Sequence, residues 1–126
     1  MRLEDLERFL ERGYELGFVK QTGSDDYLGW ILLSKQKPNE RALSILLPGE
    51  EPEYVAHQEL IRQKPYHVRV VEISRAAHES DGYGSNEDYR QNDNHYFANL
   101  EEVERFVQVF GHALSAIQWR IDIDAP

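Results

Sequence analysis

Nine consecutive residues, Tyr66 to Ser74, alternate strictly: Tyr66, Val68, Val70 and Glu72 fall on one side, His67, Arg69, Val71 and Ile73 on the other. A period of two rich in β-branched residues predicts a strand. A strand needs neighbours for its backbone donors and acceptors, so the chain must build a sheet. Tyr27 to Ser34 and Arg41 to Leu47 have strand composition, and the polar turn between them predicts an antiparallel hairpin. Ile117 to Ile123 alternates again as a final strand, and His95 to Phe97 fits a short one.

Other segments carry the helical period. Leu3, Leu6, Phe9 and Leu10 line one face of a first helix, with Glu4, Asp5, Glu7 and Arg8 opposite. Gly13 or Gly17 ends it, and Gly17 is preferred. Leu100, Val103, Phe106, Val107 and Phe110 form the stripe of a helix reaching Phe110, with Asn99 and Glu102 spaced as a capping box and Gly111 as its stop. Tyr54 to Gln63 reads as a short helix behind Pro52 and ahead of Pro65. The strings Leu3 to Leu10 and Leu100 to Val107 agree at five of eight positions. Amphipathic helices with similar surfaces converge on such strings without common descent.

These elements predict an α+β fold: a mainly antiparallel sheet of about four to six strands with two or three helices packed on one face. With 126 residues, the whole chain, 1–126, reads as a single domain.

Several functional classes are disfavoured. The longest apolar runs, such as Ile31-Leu32-Leu33, are far too short to span a bilayer, and Met1 to Leu6 lacks an apolar leader, so a cytoplasmic location is expected. No Cys is present, which removes disulfides, thiolate metal sites and thiol nucleophiles. The formal charge of -9 argues against nucleic acid and anionic membranes, and it favours cations or a basic protein surface. Phosphate-loop, dinucleotide, nucleophile-elbow and zincin motifs are missing. His57, His67, His78, His95 and His112 are scattered among different elements.

The most distinctive stretch is Arg75 to Asn94, which reads as a long polar loop, acidic from 79 to 94. Glu79, Asp81, Glu87, Asp88 and Asp93 face a single base, Arg90, among Asn86, Asn92 and Asn94. Loops of this length in compact domains tend to be functional. The first expectation is a docking surface for a basic protein partner, made by Glu79, Asp81, Tyr83, Glu87, Asp88, Tyr89 and Asp93. Acids steer the encounter, and Tyr adds contact area with a polar tip. In type, though in no motif, this resembles the bacterial immunity, antitoxin and inhibitor proteins. That resemblance implies a non-enzymatic protein that binds and inhibits its partner, with no cofactor. The alternative is a Ca²⁺-binding or calcium-sensing domain, with Glu79, Asp81, Glu87, Asp88 and Asp93 as oxygen ligands, although their spacing is not that of an EF-hand. A small enzyme of unrecognised type is the second alternative.

Overall fold

The computed structural model describes residues 1–39, 52–80 and 86–126. The elements run α1 (Leu3–Glu11), β1 (Leu16–Lys20), β2 (Tyr27–Lys35), α2 (Pro52–Gln63), β3 (Tyr66–Ser74), α3 (Arg75–Glu79), β4 (Tyr89–Phe97), α4 (Leu100–Gln108) and β5 (Gln118–Trp119). Single 3-10 turns occupy Asn86–Asp88, Leu114–Ala116 and Arg120–Ile123. The five strands form one antiparallel sheet in the order β4-β3-β2-β1-β5. The α+β expectation therefore holds. The strand expected over 41–47 lies outside the described residues; β2 pairs instead with β1 and β3.

Strand alternation divides the apolar residues between two faces. On one face, Leu16 and Phe18 of β1, Ile31 and Leu33 of β2 and Val68 and Val70 of β3 pack against Leu6 and Leu10 of α1 and Val103 and Val107 of α4. The two helices with matching strings thus do the same job on the same face, which accounts for their likeness. On the other face, Trp30, Leu32, Val71 and Ile73 are covered by Ile123. At roughly 1.5 to 3 kcal/mol per fully buried large apolar side chain, both layers contribute to stability.

Helix α1 stops at Gly13, not Gly17. Gly13 takes φ +87°, its N–H donates to Leu10 O, and Tyr14 N–H donates to Phe9 O, the paired bonds of a Schellman ending. Gly17 lies inside β1 and is small for another reason: a Cβ there would strike the Ile31 carbonyl oxygen and the side chains of Leu32 and Ile123. At α4, Asn99 Oδ1 accepts from Glu102 N–H at 2.9 Å as expected, but the Glu102 carboxylate reaches back one residue further, to Ala98 N–H.

Two expected boundaries are corrected. The last strand is only Gln118–Trp119; the chain then turns, leaving Ile121 exposed and carrying Ile123 to the second face, where its carbonyl accepts from Trp30 Nε1 at 2.6 Å. The long acidic loop is not a loop over its described length. Helix α3 follows Ser74, whose Oγ accepts from Ala77 N–H, and from Tyr89 onward the chain is a nine-residue strand.

Candidate interaction surface

Strand β4 lies at the margin of the sheet, with β3 on one side and no strand on the other among the described residues. An edge position explains its composition, because the strand buries little and its polar side chains bond sideways. On the second face, Arg69 Nε donates to Asn92 Oδ1 at 2.9 Å, and His67 Nε2 lies 2.7 Å from Asn94 Oδ1. The Tyr96 ring stacks on His67 and meets His57 of α2 edge-on. On the helix face, Phe106 of α4 packs against His95 and Phe97, which seats α4 beside this margin. Both faces of β4 are therefore fixed without a deep apolar core.

The start of β4 is irregular. Ile73 pairs with Tyr89 and Glu72 with Gln91, so Arg90 is an extra residue in the ladder. Such a bulge re-aims a side chain, and here Arg90 Nε donates to Glu72 Oε1 at 2.8 Å while Nη2 donates to Thr22 O at 3.0 Å. Its guanidinium also lies 4.1 Å from the centre of the Tyr27 ring. From the opposite direction Lys20 donates to Glu72 Oε2. β2 contributes Gly29 to this row, between Lys20 and Glu72 in register, so no side chain separates them. Burial alone would raise the Glu72 carboxyl, but the hydrogen bonds and charges of Lys20 and Arg90 outweigh it and hold the pKa below its ordinary value. This ion group ties β1, β3 and β4 together, so Arg90 has a structural task.

The residues singled out from the sequence take three different positions. Glu87 and Asp88 sit in the turn entering β4, and Asp93 is exposed on the strand, accepting from Gln91 Nε2 at 2.8 Å. Tyr89 opens the strand, but it is half-buried against the second cluster with the Arg69 guanidinium over its ring, so packing uses much of its surface. Glu79 is elsewhere, at the end of α3, 3.9 Å from Arg75. Asp81 and Tyr83 lie outside the described residues. The described acids are thus strung out rather than gathered, and no group of three His, Asp or Glu among the described residues is arranged to hold a metal ion. For Glu87, Asp88 and Asp93 an extended strand and its entry turn replace the expected ligand loop.

Sequence reasoning overlooked the contribution of α4. Glu101 and Glu102 lie in the first turn of α4, which follows the end of β4, with Arg105 bonded to Glu101 at 3.2 Å, while the Glu104 carboxylate accepts from Leu114 N–H at 2.7 Å. Between Glu87 and Arg105 six carboxylates oppose two guanidinium groups, a net -4 of the chain's -9. The spacing of Asn92 and Asn94, both on one face of any extended segment, was the available signal for the strand.

A second concave region lies across the sheet, a cleft of about 640 Å³ between the β1–β2 turn, α3 and the residues after β5. There the largely buried His78 imidazole sits against Trp30, with Nε2 3.1 Å from Asp124 Oδ2. Asp124 is itself almost fully exposed, in the left-handed conformation at φ +52°. Glu79 lines this cleft, apart from the other predicted acids. Among the described residues no helix is long and apolar enough to cross a membrane. No family model, curated protein or solved structure matches the chain.

Proposed function

We propose that this chain is a non-enzymatic interaction protein that binds a basic protein partner along the margin formed by β4 and α4, and inhibits that partner by covering its cationic surface. One observation carries the reading: six carboxylates and two guanidinium groups lie between Glu87 and Arg105, in the turn entering an edge strand, on that strand and on the helix that follows it. Arg90 is turned toward Glu72 and Arg105 is bonded to Glu101, so the margin presents mainly negative charge. Such a field accelerates encounter with a basic surface and disfavours acidic ones. The working class is that of immunity, antitoxin or inhibitor proteins.

Selection of binders to the immobilised chain from a library of random displayed peptides tests this. Peptides enriched in Lys and Arg are expected, with affinity falling steeply as salt rises. Their binding should weaken about tenfold or more in the combined variant Asp88→Asn, Asp93→Asn, Glu101→Gln, on the order of 1.4 kcal/mol. A selected pool no more basic than the starting library, or affinities untouched by the three substitutions, would remove the assignment.

A further inference from the structure

Resting on that reading, we infer that the partner contributes an extended segment that joins the sheet as a sixth strand beside β4, with Lys or Arg at alternate positions. Strand β4 has nine residues, about 30 Å at the usual rise of an extended chain. Because β3 pairs with one side and no strand among the described residues pairs with the other, backbone N–H and C=O groups of alternate residues point outward, away from β3. Proteins ordinarily blunt such an edge with Pro, Lys or a bulge. Here β4 contains no Pro and no Lys, and its one bulge lies at the start, leaving Gln91 to Phe97 in regular register with Glu72 to Tyr66.

The strand is also held in place before any partner arrives. Asn92 and Asn94 are bonded to Arg69 and His67 on one face, and His95 and Phe97 rest on Phe106 on the other. An edge already ordered adds little ordering cost on association. Charge then selects the occupant. Gln91, Asp93 and His95 share the helix face of β4, so an added strand would turn every second side chain toward the row that holds Asp93, with the acidic first turn of α4, Glu101 and Glu102, beyond its Phe97 end. Cationic residues fit that row. The intervening positions would face Asn92, Asn94 and Tyr96, which suit polar or aromatic neighbours.

The test uses the basic peptides selected above and the full chain. Amide hydrogen exchange followed by NMR should show new protection at alternate residues between Gln91 and Phe97 when peptide binds. Methylating one alternating set of peptide amide nitrogens should weaken binding about tenfold or more, and methylating the other set should change it little. If basic peptides bind but the new protection falls on α4 alone, or both methylated series behave alike, strand addition is wrong while the basic-partner reading survives. If no basic peptide is selected, both fall. Protection of the same β4 amides in the peptide-free protein, together with a dimer in sedimentation, would identify a second copy as the occupant and overturn the inference.

Discussion

Arg90 Nε meets Glu72 Oε1 at 2.8 Å through the single irregularity in the β3–β4 ladder, and Lys20 completes the group from β1. Glu72 is largely buried, so removing its charge leaves two cations facing each other. Glu72→Gln should destabilise the fold by about 2 to 4 kcal/mol, at the lower end because the exposed part of Arg90 is screened by water. Replacing all three groups, Lys20→Met, Glu72→Leu, Arg90→Met, should recover most of that loss, since no unpaired charge remains. Urea denaturation of both variants decides the point, and equal losses would refute it.

Acid should act through the same carboxylate. The pKa of Glu72 is lowered in the folded protein, so its contribution is present above the unfolded value of about 4.3 and disappears as pH falls through the folded value. The stability gap between the parent protein and Glu72→Gln should therefore shrink as pH drops from about 5 to about 3. A gap that stays constant over that range would show that Glu72 acts only through packing.

The two glycines flanking the start of β1 should respond differently to alanine. Gly13→Ala imposes a left-handed conformation on a residue with a Cβ, costing about 1 to 2 kcal/mol. Gly17→Ala drives a Cβ into the backbone of β2 and should cost more. Thermal melts of the two variants rank them, and the reverse order would contradict the packing described for Ile123.

Trp30 anchors the segment after β5. Trp30→Phe keeps an aromatic ring but loses the bond to Ile123 O, a loss of about 1 to 3 kcal/mol for a buried acceptor left unsatisfied. Brief trypsin digestion should then cut faster after Arg120 than in the parent. Unchanged cleavage would mean that Ile123 is held by apolar contact alone.

The polar composition of β4 guards the edge as well as shaping it. Converting Asn92, Asp93 and Asn94 to Val supplies high β-propensity and removes charge from an open strand, so self-association should rise sharply. Light scattering at matched concentrations measures this, and a monodisperse triple variant would argue that the edge is not accessible.

Strand β3 was legible in the sequence because it is sandwiched, and its alternation records two different faces. α1 and α4 were legible for the same reason: each buries one stripe against Ile31, Leu33 and their neighbours. Of β4 only His95 to Phe97 is legible as strand, because an edge strand needs few aliphatic residues; Tyr89 to Asn94 is stabilised by backbone pairing and by amide-to-Arg and amide-to-His bonds that leave no hydrophobic signature. The candidate surface was half visible. Charge singled out Glu87, Asp88 and Asp93, but nothing local reveals that α4 is seated at the far end of the same strand, where Phe106 packs on His95 and Phe97 through tertiary contact. The same holds for His78 and Asp124, which meet across 46 residues. Gly17 was mistaken for a helix stop because sequence cannot separate a glycine required by a turn from one required by a crowded sheet.

Strand β5 is only two residues long, so among the described residues the sheet has one long marginal strand, β4, and one very short one. Growth of a sheet into a fibre requires two complementary sticky ends, one to receive and one to offer. A molecule with a single usable end can take part in one pairing and then stops. Among the described residues, pairing at β4 would add one strand and leave no second edge of comparable length from which a fibre could grow.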